Sequence, residues 1–307
     1  MRELVFVHGR SQEHKDSVAL KKEWIDTFRE GLAKNGLTLP IPEDRVRFPY
    51  YGDTLDGLVH NVPANQLAEV VVRGNAADPQ LQAFLEDVLE EVTTRKGITD
   101  EQIAAEAQAA VHGPAAPVGA GIVVERGPLN WGWVQGILSA IDKYVPGASG
   151  VSIALATSDV YHYLTNAGTR DTIEAGIRKA MTPGVESVVV SHSLGTVVAY
   201  NLLRRDGPTL GWRVPLFVTV GSPLAVKKIR MSLAPNKFPS CARQWFNAMD
   251  PDDVVALYPL DRRHFPVDPE IENKTDVDNQ TDNQHGIAGY LNDPVVAKRI
   301  YDALVAP

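Results

Sequence analysis

One cysteine, Cys241, among 307 residues excludes an intramolecular disulfide framework and fits a reducing compartment. Long apolar runs are missing as well. No stretch approaches the ~20 apolar residues that a bilayer-crossing helix requires. Leu4-Val5-Phe6-Val7 is too short for the apolar stretch of a signal peptide. No basic tract or arm offsets the net charge of −8, which argues against nucleic acid as a main partner. Zinc-site Cys/His spacing and a glycine-rich phosphate loop are both absent. Asp276, Asp278 and Asp282 lack the glycine and terminal glutamate of a calcium loop and read as a solvated loop. No metal or cofactor is called for, and no internal repeat or low-complexity tract interrupts the chain. Hydrophobic residues at 44% and charged residues at 22% describe a globular protein with a sizeable core, expected in the cytoplasm.

Strand and helix patterns alternate at both ends of the chain, which predicts an α/β fold with a mostly parallel central sheet flanked by helices. Leu4 to Val7 reads as the first strand. Leu20, Trp24, Phe28 and Leu32 recur at helical spacing, with Gly36 just beyond. Val46, Phe48 and Tyr50 alternate as in a second strand. Ile173, Ile177 and Met181 mark a helix that ends at Pro183-Gly184. Apolar strands follow at residues 188–190, 216–220 and 244–249, and Asp293-Pro294 opens a final helix.

Residues 52–150 lack strand signals. Asp78-Pro79 starts an amphipathic helix carrying Phe84, Leu85, Val88, Leu89 and Val92, and Thr99-x-x-Gln102 reads as a capping box for another. A third helical pattern contains Trp133, Val134, Ile137, Leu138 and Ile141. This divides the chain into a core of residues 1–51 and 151–307 and a helical insertion at 52–150. The insertion is a cap or lid over one end of the sheet, a surface for a protein partner, or a separate helical domain without a role at the site.

The chemistry concentrates at Ser191-His192-Ser193-Leu194-Gly195, between an apolar strand and a helix that begins at Thr196. A serine on a sharp strand-to-helix turn projects its hydroxyl, and the next amide, on Leu194, points from a helix N-terminus to where negative charge develops. The motif is usually G-x-S-x-G; here Ser191 stands in place of the first glycine. A serine nucleophile requires a base and an orienting acid. Both follow Ser193 in chain order: Asp250, Asp252 and Asp253 lie after a strand, and His285-Gly286 precedes the last helix. His264 is the reserve base, while His8 and His192 are expected to brace the loops by hydrogen bonds.

Taken together, Val7-His8-Gly9-Arg10, the Ser193 turn, Gly221-Ser222-Pro223-Leu224 and the Asp253 loop with His285 resemble the lipase/esterase type of α/β-hydrolase. The resemblance covers both ends of the chain and leaves residues 52–150 unmatched. It implies that Ser193, Asp253 and His285 form a catalytic triad, with Asp250 and Asp252 as local alternatives. It also implies that the amides of Leu194 and Arg10 bind the oxyanion. The expected activity is cleavage of a carboxylic ester of acyl or lipid-like type, through an acyl-enzyme and without a metal. Thioester and amide cleavage use the same constellation. A non-catalytic binding module and an effector lipase gated by a partner are the competing readings. The Arg10 side chain is a further candidate for an anionic substrate group, and Tyr50, Tyr51, Trp131 and Trp133 are candidates for an acyl pocket or lid underside, against plain core roles.

Overall fold

The computed structural model describes residues 1–9, 16–51, 78–112 and 131–307. Its strands are β1 (Glu3–Val7), β2 (Val46–Arg47), β3 (Ser187–His192), β4 (Phe217–Val220), β5 (Trp245–Ala248) and β6 (Glu272–Lys274). They form one sheet in the order β2-β1-β3-β4-β5-β6, and every adjacent pair is parallel. The helices are α1 (Ser17–Ala33), α2 (Pro79–Lys96), α3 (Asp100–His112), α4 (Trp131–Tyr144), α5 (Gly150–Thr165), α6 (Ala167–Ala180), α7 (Leu194–Arg205), α8 (Lys227–Ser232), α9 (Ile287–Leu291) and α10 (Pro294–Val305).

Parallel strands require long crossovers, and helices supply them on both faces of this sheet. Leu4, Phe6, Val188, Val190, Val218, Val220, Phe246 and Ala248 point to one side, where they meet Trp24 and Phe28 of α1 and Val296 and Ile300 of α10. Trp24 is the hub: its ring lies 5.2 Å from Phe6 and 5.3 Å from Phe48 in edge-on contacts. The alternate positions of the strands face α7. There Trp245 lies 4.9 Å from Phe217 and 5.3 Å from Tyr200.

The chain steps outward from β1 to β2, then returns to place β3 on the other side of β1. Connections therefore leave the carboxyl ends of β1 and β3 in opposite directions. In open parallel sheets that divergence makes a crevice where ligands bind.

Three elements differ from the sequence expectation. Ladder pairing in β2 stops at Arg47, because Phe48 turns instead to stack on His8, with ring centroids 5.6 Å apart. The edge strand β6, Glu272-Asn273-Lys274, is polar and carries no apolar alternation to betray it; Asn247 Nδ2 reaches across to Asn273 Oδ1 at 3.0 Å. The helix α5 is rich in Ser, Thr and Val, weak helix formers without a single apolar stripe.

Contacts divide the chain into two compact units, residues 1–59 with 162–307, and residues 60–161. The first holds the whole sheet. In the second, Asp78 caps α2 by accepting from the amides of Gln80 (2.8 Å) and Leu81 (3.2 Å). The capping box before α3 forms: Thr99 N donates to Gln102 Oε1 at 2.8 Å, and Gln102 N to Thr99 Oγ1 at 3.3 Å. Among the described residues no helix is long and apolar enough to cross a membrane.

The position of Trp24, fully buried between the sheet and α1, sets its expected cost. Trp24→Ala should destabilise the protein by roughly 3–5 kcal/mol, and Trp24→Phe by clearly less, read as shifts in the denaturant midpoint.

Candidate active site

Ser193 follows the last residue of β3 with φ 54° and ψ −128°, a conformation that non-glycine residues avoid. Surrounding bonds hold it there. Its amide donates to Val220 O at 3.2 Å, and its carbonyl accepts from Thr196 Oγ1 at 2.7 Å. Thr196 Oγ1 is in turn bonded to Ser222 Oγ at 2.8 Å. The unusual Ser191 is buried and donates its hydroxyl to Val218 O at 2.9 Å, so a small polar side chain replaces the usual glycine without an unpaired group. Two glycines permit the tight assembly. A Cβ on Gly195 would lie 2.4 Å from the carbonyl oxygens of both Val7 and His8, and one on Gly9 would lie 2.7 Å from Ser193 Cβ. The start of α7 is thereby pressed against the end of β1.

Ser193, His285 and Asp253 come together. His285 Nε2 lies 2.9 Å from Ser193 Oγ, and His285 Nδ1 lies 2.7 Å from Asp253 Oδ2. Asp253 follows β5 and His285 follows β6, so both reach the carboxyl edge of the sheet where Ser193 stands. The Asp253 carboxylate is buried, yet each oxygen is satisfied. Oδ1 accepts from the amides of Val255 (2.8 Å) and Ala256 (3.2 Å), and Oδ2 also accepts from Tyr290 Oη at 2.6 Å. Burial alone would raise its pKa; the adjacent His285, the Tyr290 hydroxyl and the Val255 amide more than offset this and hold it below the ordinary value.

The neighbouring aspartates do other work. Asp250 accepts from the amides of Asp252 (2.7 Å) and Asn279 (2.7 Å), which ties the loop after β5 to the loop after β6, and Asp252 is exposed. His264 bonds Asp261 at 2.9 Å and stacks on Tyr258, within a loop of its own.

His8 and His192 act as braces. His8 Nδ1 donates to Gly9 O at 2.8 Å and its Nε2 accepts from Tyr51 N at 3.0 Å, while the Tyr51 hydroxyl donates to His8 O. His192 Nε2 donates to the His285 carbonyl at 2.7 Å, and the two rings lie 4.8 Å apart. Burial pushes His8 down to about 4; burial, together with the neighbouring His285, pushes His192 down to about 3.

The remaining sequence candidates fall unevenly. Leu194 is the first residue of α7, whose N-terminal amides lack intrahelical partners. Arg10 lies outside the described residues, as does the Trp131 side chain. Trp133 is buried within the helical unit. Tyr50 is half-buried with its ring 5.5 Å from His8, and Tyr51 is buried in the bracing role above. Much of the 52–150 insertion, namely residues 52–77 and 113–130, also lies outside the described residues.

Compared with family models, curated proteins and solved structures, the chain matches none.

Sequence reasoning missed the supports of the array. Asn279 and Thr281 are two of them, and Tyr290, which the resemblance matched only as the aromatic that follows His285, carried no role there. Asn279 Nδ2 donates to Gly286 O at 2.9 Å, and Gly286 N donates to Thr281 Oγ1 at 2.9 Å, so these two side chains shape the turn that presents His285. Their only local signal was Asn and Thr turn chemistry six and four residues before His285.

The braces lead to a measurable linkage. His8 and His192 stay neutral in the folded state well below the ordinary histidine value of 6.5. Their contribution to stability is complete above that value and is lost as pH falls towards about 4 for His8 and about 3 for His192. At about pH 5.5 unfolding should take up nearly two protons on these residues, a slope of roughly 2.5 kcal/mol per pH unit. In His8→Asn that slope should fall by about one proton's worth when denaturant unfolding is followed against pH.

Proposed function

We propose that this chain is a serine hydrolase of the α/β-hydrolase fold, cleaving a carboxylic ester of acyl or lipid-like type. The observation that carries the reading is the unbroken line of hydrogen bonds from Ser193 through His285 to the buried Asp253, at 2.9 and 2.7 Å. The strained backbone at Ser193, at the crevice where the sheet's connections diverge, supports it further.

The chemistry follows from the atoms. Asp253 holds the proton on His285 Nδ1, which leaves Nε2 free to accept the Ser193 hydroxyl proton. The serine oxygen attacks the ester carbon, and the carbonyl oxygen becomes an oxyanion. The Leu194 amide donates to that oxyanion, and the resemblance assigns the second donor to the Arg10 amide. One such donor typically stabilises the transition state by ~3 kcal/mol. The intermediate collapses as His285 gives its proton to the departing alkoxide, leaving Ser193 acylated. Water then attacks the acyl carbon while His285 takes its proton, and release of the acid restores the serine. Asp253, paired with the imidazolium that forms twice in this cycle, stabilises it each time.

Cys241 supports a cytoplasmic setting rather than a second nucleophile. Its thiol is pushed up to about 11 by burial, so it stays protonated near neutral pH.

A fluorophosphonate probe tests the reading directly. Labelling should map to Ser193 by mass spectrometry, vanish in Ser193→Ala, and slow by at least about 10³-fold in His285→Ala. An unlabelled wild-type protein, with lipid or detergent present, would turn the reading towards a binding module.

A further inference from the structure

We propose that Tyr290 is a positioning residue: its hydroxyl shares Asp253 Oδ2 with His285 and so limits how strongly the carboxylate holds the imidazole proton. The role rests on the serine-hydrolase reading above. Tyr290 is the penultimate residue of α9 and is completely buried. Its hydroxyl has one proton and donates it to Asp253 Oδ2 at 2.6 Å, while its oxygen accepts from the Asp250 amide at 3.2 Å. The direction of the bond is thus defined at both ends. The oxygen that accepts it is the same one that His285 Nδ1 meets at 2.7 Å.

Two donors on one carboxylate oxygen compete for its electron density. The shorter contact belongs to the tyrosine. A stronger tyrosine bond leaves Asp253 a weaker acceptor for the imidazole, and a missing one leaves it a stronger acceptor. Because Asp253 Oδ1 is engaged by the Val255 and Ala256 amides, the carboxylate has no free oxygen onto which His285 could move. The Asp250 amide also joins this tyrosine to the loop after β5, so the hydroxyl registers α9 against the strand end that carries the acid.

Among the described residues, the titratable groups near the array are few. His192 faces His285 from β3, His8 stands behind it at the end of β1, and Asp250 and Asp252 flank Asp253 on its own loop. Burial keeps both flanking histidines neutral through the range of interest. Burial raises the Asp250 carboxyl, whose partners, the Asp252 and Asn279 amides, are untouched by a change at Tyr290, so a difference in the pH limb between Tyr290 variants reports on the bond that Tyr290 makes to Asp253.

The experiment is the rate of fluorophosphonate labelling of Ser193 against pH, for the wild type, Tyr290→Phe and Tyr290→3-fluorotyrosine. Phenylalanine keeps the buried ring and removes only the hydroxyl; the fluorinated ring is a stronger donor of nearly the same shape. In Tyr290→Phe the low-pH limb should move up by roughly half a unit to one unit, and the plateau rate should fall by about fivefold. In the fluorinated protein the limb should move down. A merely structural tyrosine would change the melting temperature and leave the limb in place in both variants, which would overturn the proposal. The downfield proton resonance of the His285 imidazole separates this outcome from a failure of the serine reading, because it requires no reaction. It should move further downfield in Tyr290→Phe even if the wild-type protein is never labelled. Absence of labelling with that displacement would remove the hydrolase reading and leave the coupling standing, whereas no displacement would remove the coupling.

Discussion

A carboxylate withdrawn from water is costly unless its oxygens are filled by donors, and Asp253 is such a carboxylate. Its donors come from three places in the chain: the turn after β5, the loop after β6 and the helix α9. Satisfying this one group draws the carboxyl-edge loops into a single arrangement. The imidazole of His285 gains a fixed orientation as a by-product of that satisfaction. Without it, the histidine would be one more side chain on a polar loop.

The serine end of the array depends on close approach rather than charge. The strained φ of Ser193 persists because Thr196, Ser222 and Val220 hold the backbone around it, and because Gly9 and Gly195 let the β1 end come within contact distance. Position in the sheet then matters. Ser193 sits where the connections from β1 and β3 part, the position at which open parallel sheets bind ligands. The neutral histidines on either side complete the setting. They bond backbone carbonyls and add no positive charge beside His285.

Much of this was legible in the chain itself. The alternating apolar runs announced the α/β sheet, and the serine turn, the aspartate cluster and His285 stood in the required order. Strand signals failed where apolar alternation failed, at polar β6 and in β2, where an aromatic residue turned aside to stack on a histidine. Turn chemistry alone did not separate Asp250, Asp252 and Asp253, since all three suit the same turn; the resemblance named Asp253, the one whose carboxylate meets His285.

By itself the sequence determined which chemical groups exist and their order along the chain, and periodicity sorted most of them onto strands and helices. Tertiary structure alone decided which groups meet. It set Asp253, and neither Asp250 nor Asp252, against His285, placed the Tyr290 hydroxyl on the same carboxylate, and buried His8 and His192 so that they stay neutral. The physical reason is that hydrogen bonding and desolvation depend on distances of about 3 Å between residues far apart in the chain. Such distances are set by packing, which local pattern does not encode.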